Sequence, residues 1–566
     1  MSHDRRFSKL FYQVFLLFIA LSISQTAVGQ IKPPAGIRQN TPAVHAFTNA
    51  KIVTAPGTII EKGTLVIRNG VIAAVGASVA VPADARIWDM SGMTIYPGLI
   101  ESYADIGMPK KPQQTPGGGG GGPPPSQPQP EPRGEKHWNE SVLASQNADE
   151  LFMPDAKAAE KFRAMGFTTA LIVPQKVIFR GTSAVFNLGE GTPNDLLVKG
   201  RIAQHITFET SRGDEFPNSL MGTIALIRQT MLDAQWHRDV FAASAKHTDE
   251  PRPEFVADLA ALEGIVNGTL PALFETTDEF SLLRASKIAK EFGLKLWVRG
   301  SGYEYRRLDA VKQAAVPIIL PVNFPEAPAV QTPEEALNVS LQELRYWDEA
   351  PDNPKKLQDA GLSFSLTSAT LKDPANFLAN VRKAIERGLS AQAALAALTT
   401  TPAKLIGIDK KLGTLAAGKM ANFVITDGEL FSEKTKIRET WIDGKRYEVK
   451  ARAEQDLRGT WTTVIENVLL DTVKIILKGE PDAPQGTIKA KGKDIKSGTT
   501  TFSDLRFATS FTADSLGIKG VVRMTAALVA GELMGTGEYP DGAFFKWTAK
   551  RTDPFKPDPD TSKPKS

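Results

Sequence analysis

The chain has 566 residues, of which 42% are hydrophobic and 23% are charged, and its formal net charge is +4. These are the values of an ordinary globular protein with room for about two to four domains. Because no basic stripe and no RNA-binding motif is present, nucleic acid is excluded as the expected partner. The sequence contains no cysteine, which excludes disulfides and thiol-linked lipid anchors.

The N-terminus has the pattern of a secretory signal peptide. Basic residues precede an apolar run from Leu10 to Ile23, and the small residues from Ala27 to Gly29 offer a cleavage site. The run is shorter than the roughly 20 residues that span a bilayer, which argues against a permanent anchor. We expect residues 1–29 to be a signal peptide and residues 30–43 a linker. The mature chain is then exported, periplasmic or extracellular, with no membrane contact after cleavage.

The next part of the chain predicts a barrel enclosed by a split β-domain. Residues 44–96 contain short β-branched runs broken by turn pairs such as Asn69-Gly70, which predict an antiparallel sheet. In residues 97–411, apolar runs such as "LKLWVRG" alternate with helical patterns such as "PANFLANVRKAIERG". That alternation is typical of parallel strands covered by helices, and over this length it predicts an α/β fold with a (β/α)8 TIM-like barrel. Residues 412–450 return to a β pattern, and we expect them to complete a composite β-sandwich with residues 44–96.

Two further segments complete the expected domain order. Residues 110–136 form a low-complexity insertion whose six consecutive glycines are followed by prolines. A phosphate-binding loop requires a helix at that point, so a solvated loop is expected at the carboxyl end of the first barrel strand. Residues 455–551 predict a separate all-β domain, because alternating strands are joined by Gly-rich turns. Residues 552–566 predict a disordered tail.

Three stretches resemble the amidohydrolase superfamily, specifically its imidazolonepropionase-like branch. "TIYPGLIESYAD" is similar to the junction that this family writes as PGLIDxHxH. "LSAQAALAALTTTPAKLIGIDKKLGTLAAGKMANFVITDG" resembles the helix and return strand at the far end of the barrel. "ALFETTDEFSLLRASKIAKEFGLKLWVRGSGYEY" resembles the segment that joins two central strands. The resemblance covers residues 46–449 and implies a barrel bracketed by a split β-domain.

The resemblance also implies a metal centre, and its ligands are missing here. Members hold one or two divalent metal ions, commonly zinc, and a metal-bound water attacks an amide or related C–N bond. The ligands are four histidines and an aspartate, sometimes joined by a carboxylated lysine. The positions that match the ligands in this chain are Tyr103, Asp105, Glu275, Arg299 and Ser368. None of the six histidines, at positions 3, 45, 137, 205, 237 and 247, lies at a matching position.

Arg299 argues against a metal ion at these positions. A fixed cation about 4 Å from a dication would be repelled by about 8 kcal/mol at an effective dielectric constant near 20. Tyr103 is a poor ligand at neutral pH, since the pKa of a phenol is about 10. We therefore predict no metal and no cofactor, and an Arg299 nitrogen within about 4 Å of Asp105 or Glu275. The alternative is a set of polar groups without mutual contact.

Other polar residues predict structural roles. His137 follows the low-complexity insertion and is expected at the surface or in a capping role. Ser219 precedes an amphipathic segment, and since no matched base is visible we expect a helix cap rather than a nucleophile. Asp278 and Glu279 are expected at a helix start, where acidic side chains favour the helix dipole.

These residues lead to three hypotheses about function. The first is an exported, catalytically degenerate relative of the hydrolases of non-peptide C–N bonds, acting as a binding or partner subunit in a homodimer or in a heterodimer with a related amidohydrolase. The second is an active hydrolase of C–N bonds with a rebuilt site, in which Asp105, Glu275 and Glu101 hold zinc or another divalent cation or act as a metal-free acid/base pair. The third is an interaction module in which the C-terminal β-block binds and the barrel is a scaffold.

Overall fold

The computed structural model describes residues 43–109, 136–174, 177–210, 216–247, 249, 251–451, 455–466, 473–503 and 505–555. The expected signal peptide, the linker apart from Ala43, the low-complexity insertion apart from Lys136 and residues 556–566 of the expected tail lie outside these ranges. The described residues, from 43 to 555, form one compact unit. Among the helices that the structure describes, none is long and apolar enough to cross a membrane.

Strands and helices alternate through the middle of the chain, and strands alone follow. In the described residues the strands are, in chain order, β1 (Val44–Ala55), β2 (Thr58–Arg68), β3 (Val71–Gly76), β4 (Arg86–Asp89), β5 (Thr94–Pro97), β6 (Leu99–Ala104), β7 (Phe167–Ile172), β8 (Phe179–Thr182), β9 (Ala184–Asn187), β10 (Leu197–Lys199), β11 (Gln204–Thr207), β12 (Ala272–Glu275), β13 (Leu296–Arg299), β14 (Ile318–Pro321), β15 (Phe364–Thr367), β16 (Phe423–Thr426), β17 (Ile437–Ile442), β18 (Lys445–Glu448), β19 (Gly459–Ile465), β20 (Lys474–Glu480), β21 (Ala483–Ala490), β22 (Lys493–Lys496), β23 (Thr499–Ser503), β24 (Arg506–Thr512), β25 (Val521–Val529), β26 (Glu532–Glu538) and β27 (Phe544–Pro554). The α-helices are α1 (Ala148–Leu151), α2 (Ala156–Ala164), α3 (Pro193–Leu196), α4 (Leu220–Ser244), α5 (Ala257–Ala261), α6 (Glu263–Val266), α7 (Glu279–Phe292), α8 (Leu308–Ala314), α9 (Pro333–Leu337), α10 (Leu341–Glu349), α11 (Asn353–Asp359), α12 (Phe377–Glu386), α13 (Ala391–Leu398) and α14 (Thr400–Ile406).

An eight-stranded sheet combines both flanks of the α/β region, in the order β18-β17-β16-β5-β1-β2-β3 with β4 paired to β1. Strands from residues 44–97 and from residues 423–448 therefore belong to one composite β-domain. Strand β1 connects its parts, because it pairs with β4 along its first half and with β5 along its second half and has irregular register with β2. Such irregularities bend a strand, so one long strand serves both parts of the sheet. Phe47, Phe423 and Trp441 pack edge to face or stacked in its core.

The α/β region contains two sheets with parallel strands. One has the order β10-β9-β7-β6, with β6 parallel to β7, and the other has the order β15-β14-β13-β12-β11-β8, with β11 to β15 all parallel. Only Ser183 separates β8 from β9, so one extended segment joins the two sheets. At the far edge, the end of β15 is tied to β6 by hydrogen bonds from Ser368 to Glu101. The fold is therefore mixed α/β, as the alternation of patterns predicted.

A nine-stranded antiparallel sheet follows, in the order β22-β21-β20-β19-β27-β26-β25-β24-β23. Its strands alternate buried and exposed residues, and Trp461, Phe507 and Trp547 lie in its core. The expected C-terminal all-β block is present. The start of the tail at residue 552 is corrected, because β27 runs to Pro554, which pairs with Gly459 of β19. The polar residues from 552 to 554 have the composition of a tail, but backbone pairing with β19 holds them in the sheet.

Candidate functional site

Two of the five matching positions lie at adjacent strand ends. Glu275 is the last residue of β12 and Arg299 the last residue of β13, and the two are partners in the parallel register. Paired residues of neighbouring parallel strands point to the same side of a sheet. The apolar strands that precede them, "ALFE" and "LWVR", therefore bring a carboxylate and a guanidinium together at one edge.

Glu275 is the centre of a cluster of four polar side chains. Its Oε1 accepts hydrogen bonds from the Tyr103 hydroxyl and from Arg180 Nη1. Arg180 Nη1 also donates to the Tyr103 oxygen at 2.9 Å, and Arg299 Nη2 lies 3.5 Å from Glu275 Oε2. The side chain of Arg180 is 4% exposed, and those of Glu275 and Arg299 are 11% exposed. We call Tyr103, Arg180, Glu275 and Arg299 the Glu275 cluster.

The predicted ion pair of Arg299 is confirmed with Glu275 as its partner. The prediction that Asp105 belongs to the same site is wrong, because Asp105 is exposed and makes no ion pair among the described residues. The sequence argument assumed an unbroken strand, in which residues two apart share a side. The structure ends β6 at Ala104 and breaks its register with β7 between Glu101 and Ala104. Alternation therefore does not carry from Tyr103 to Asp105.

Ser368 lies in a separate buried contact. Its backbone N and its hydroxyl lie 2.9 Å and 2.6 Å from Glu101 Oε2, to which both donate. Glu101 Oε1 accepts from the Thr367 hydroxyl and from Tyr103 N. Burial raises the pKa of Glu101, although the hydrogen bonds from Ser368 and Thr367 oppose that shift. The carboxyl group of Glu101 therefore links β15 to β6. Because both of its oxygens accept hydrogen bonds, it is not a free base.

Sequence reasoning missed Arg180 and His205. Arg180 lies in β8, within the sequence "VIFRGTS". A single arginine beside apolar residues was the sequence signal, because it predicts a buried charge that needs a partner. His205 lies in β11 and is fully buried, with its ring centroid 6.0 Å from that of Tyr103. Burial and the positive charge of Arg180 lower the pKa of His205 well below its usual value. The imidazole is therefore neutral.

The structural roles predicted for Ser219 and Asp278 are confirmed. Of the two roles predicted for His137, the surface position is wrong, whereas capping is present because its Nδ1 accepts from Asn139 N at 3.1 Å. The Ser219 hydroxyl accepts from Gly222 N at the start of α4, and the Asp278 carboxylate accepts from Ser281 N at the start of α7. His137 is buried rather than exposed, because its backbone N donates to Asp258 at 3.1 Å and draws the residue inward. Burial lowers the pKa of His137.

The residues of the cluster do not fit a divalent metal ion. A catalytic zinc site takes about three imidazole, thiolate or carboxylate ligands. In the described residues no group of three or more His, Asp or Glu side chains is arranged to hold a metal. Burial and the negative charge of Glu275 raise the pKa of Tyr103 well above its usual value, so the phenol stays protonated. The single carboxylate of the cluster, that of Glu275, already pairs with the guanidinium groups of Arg180 and Arg299.

Part of the chain resembles amidohydrolases in sequence, and 71% of it resembles one in fold. Residues 365–447 match the sequence profile of the amidohydrolase family. An amidohydrolase structure from Thermotoga maritima has a TM-score of 0.58 at 20% identity, covering 71% of this chain and 99% of that one. The fold is thus similar to that of an amidohydrolase, and residues 365–447 are similar in sequence to that family.

Two other solved structures are less similar. A prolidase complexed with N-methylphosphonate-L-proline has a TM-score of 0.44, and N-acetylglucosamine-6-phosphate deacetylase from Pasteurella multocida has 0.38. Both are 14% identical and cover 72% of this chain, with 99% and 100% of their own chains matched. Likeness at that level carries no argument about activity. No curated protein sequence matches the chain.

Proposed function

We propose that this chain is a non-catalytic relative of the amidohydrolases that acts by binding rather than by hydrolysis. The observation that carries the proposal is the pairing of Glu275 with both Arg180 and Arg299. Fixed positive charge then occupies the position at which the resembled family holds its metal ion. Since Glu275 also accepts from Tyr103, its Oε1 is engaged and is not a free base. Our assignment to the imidazolonepropionase-like branch rests on the motifs of the sequence.

We also propose that the two sheets of the α/β region close into a (β/α)8 barrel. Two observations support closure: the segment from β8 to β9 joins both sheets, and Ser368 and Thr367 tie β15 to β6. The Glu275 cluster then lies at the carboxyl ends of the barrel strands, which is the face where barrel enzymes carry their sites. The composite β-domain and the C-terminal β-domain flank this barrel.

The test of the proposal is a zinc and activity measurement on one preparation. The full chain is purified from zinc-supplemented medium, its metal content is measured by mass spectrometry, and it is assayed against a panel of amides and lactams. The amidohydrolase from Thermotoga maritima is treated in the same way as a positive control. We expect far less than one zinc ion per chain and no turnover. About one zinc ion per chain, with hydrolysis that a chelator abolishes, would contradict the proposal.

Export remains part of the proposal, based on the apolar run and the small residues at 27–29. Expression of the full chain in a bacterial host, followed by N-terminal sequencing, tests it. We expect the mature protein outside the cytoplasm, beginning close to residue 30. An intact N-terminus in the cytoplasmic fraction would contradict export.

We further propose that the chain is one subunit of a heterodimer with a related amidohydrolase. Helices α9 and α10 contain no buried residue, and Leu337 and Leu341 are 85% and 64% exposed. Tyr346 and Trp347 line a cleft of about 450 Å³ beside them. Residues 325–349 hold six acidic residues and one basic residue, which disfavours packing against an identical surface.

A binding experiment separates the two dimers. We expect the purified chain to be a monomer by sedimentation, and to copurify with a coexpressed amidohydrolase that retains the His-x-His motif. Leu341→Asp should abolish that copurification, whereas the exposed control Trp236→Ala should not. A dimer of the chain alone that Leu341→Asp dissociates would contradict the heterodimer.

A further inference from the structure

The guanidinium of Arg299 has donors that the cluster does not use. Arginine carries five N–H donors. Here Nη2 makes a long contact of 3.5 Å with Glu275, and Nη1 donates to Gly300 O at 3.3 Å. Nε is buried and has no acceptor among the described residues. Because a buried donor without an acceptor is costly, the arrangement points to a further acceptor for Arg299.

The buried part of the cluster also has surplus positive charge. Within the described residues, Arg180 and Arg299 face the single carboxylate of Glu275, whose Oε1 is already shared by Arg180 and Tyr103. Glu209 lies 3.6 Å from Arg180 but is 46% exposed, so solvent screens much of its charge. About one positive charge therefore stays uncompensated beside Arg299.

Neighbouring strands contribute further buried polar groups without partners. Ser365 of β15 is fully buried, and its hydroxyl has no partner among the described residues. Arg299 pairs with Ile319 and Ile319 with Ser365, so the serine lies two strands, or about 10 Å, from Arg299 in the same row. Neither ring nitrogen of His205, which lies against Tyr103, has a partner in the described part of the chain.

We propose that the Glu275 cluster is an oxyanion-binding site that takes a small monocarboxylate. Arg299 donates to the carboxylate through Nε and an adjacent Nη, because this planar fork matches a carboxylate. Ser365 and neutral His205 supply further hydrogen bonds. One carboxylate balances one surplus charge, whereas a phosphate dianion would exceed it. The inference rests on the proposed function, because the surplus positive charge is argued for a cluster that holds no metal ion.

Titration calorimetry on the full chain, at constant ionic strength, tests this site. Sodium acetate is the probe, with inorganic phosphate and chloride as comparisons. We expect saturable binding of one acetate per chain and at least about tenfold weaker binding of phosphate and chloride. Arg299→Gln should weaken acetate binding by about tenfold or more, since a hydrogen bond to a charged group is lost. Arg299→Lys keeps the charge but not the fork and should weaken it less.

Two variants and one parallel measurement keep the result interpretable. Arg228→Gln removes an exposed arginine paired with Glu291 and should leave acetate binding unchanged. If Arg299→Gln fails to fold, Ser365→Ala should still weaken acetate binding several-fold. Tighter binding of phosphate than of acetate, unchanged affinity in both site variants, or no saturable binding would overturn the inference. The zinc content of the same preparation separates the causes: a zinc-free chain without acetate binding contradicts only this inference, whereas a zinc-loaded chain contradicts the proposed function.

Discussion

Two carboxylate-centred networks of this molecule differ in how completely their charges are paired. The second network, which we call the Asp482 cluster, lies where the composite sheet meets the C-terminal sheet and comprises Asp427, Lys436, Arg438, Lys450, Glu480 and Asp482. Three cations face three carboxylates there. Arg438 lies 2.6 Å from Asp427 and 2.8 Å from Asp482, and Lys436 lies 3.0 Å from Asp482.

The comparison separates a structural network from a candidate binding site. The Asp482 cluster is balanced and its donors are paired, so it is complete as a joint between two sheets. The Glu275 cluster has two guanidinium groups for one buried carboxylate, and Arg299 has an unpaired buried donor. Unpaired buried charge is costly in a structural joint and useful in a site that awaits an anion.

The largest effect is expected from Glu275→Gln. This variant leaves Arg180 and Arg299 without their shared counter-charge, so the free energy of unfolding of the α/β region should fall by about 3–5 kcal/mol. Urea denaturation followed by circular dichroism measures the change. The control is Glu291→Gln, which removes an exposed partner of Arg228 and should cost less than about 0.5 kcal/mol. A loss below about 1 kcal/mol for Glu275→Gln would show that the cluster does not depend on this carboxylate.

A smaller effect is expected from Asp482→Asn. Arg438 and Lys436 keep Asp427 and Glu480 as partners, so the loss of stability should be about 2 kcal/mol. It should appear in the thermal transition of the C-terminal sheet. The matched control is Asp494→Asn, which removes an exposed carboxylate of that sheet and should leave the transition in place. Equal effects of the two variants would refute the structural role of the Asp482 cluster.

The same carboxylate predicts a pH dependence. Burial opposes ionisation of Asp482, but hydrogen bonds from Lys436 and Arg438 outweigh it and lower the pKa to about 2. The pKa of an unfolded aspartate is about 3.9, so the ionised form stabilises the folded state by about 2 kcal/mol above pH 4. That contribution is lost as the pH falls from about 4 to about 2. Stability curves of the parent and of Asp482→Asn should therefore converge in this range, and parallel curves would contradict the assignment.

The smallest effect is expected from Arg299→Gln in the absence of ligand. Removal of the surplus cation leaves Glu275 paired with Arg180, so the free energy of unfolding should change by less than about 0.5 kcal/mol. Arg438→Gln is the matched variant in the balanced cluster, and it should cost about 2 kcal/mol because Asp482 loses a partner. Denaturation of both variants in acetate-free buffer measures the difference. Equal losses would contradict the distinction between the two clusters.

The sequence predicted the parts of the site that lie at strand ends. The motif resemblance located Tyr103, Glu275 and Arg299, and the cost of a lone buried charge predicted the ion pair. Arg180 was not predicted because it matches no motif position. It also lies 95 positions before Glu275 in the chain, on a strand antiparallel to β11. Asp105 was misplaced because the break in register after Glu101 depends on tertiary packing.

The fold shows the same division between local pattern and long-range packing. Alternation of apolar runs and helical patterns predicted the parallel strands β11 to β15, and alternation within strands predicted the C-terminal sheet. Two features depend instead on which strands pair over long distances. They are the pairing of β1 with both β4 and β5 and the extension of β27 to Pro554. Composition and periodicity do not specify such partners.

The most direct test of the central claim is a crystal of the full chain soaked in zinc and measured at the zinc absorption edge. Because the claim is that guanidinium groups take the place of the metal ion, we predict no anomalous density within about 2 Å of the Glu275 carboxylate, the zinc–oxygen bonding distance. Arg299 and Arg180 should both remain within ion-pair distance of Glu275. A fully occupied zinc ion bound to Glu275, with Arg299 displaced, would contradict the account.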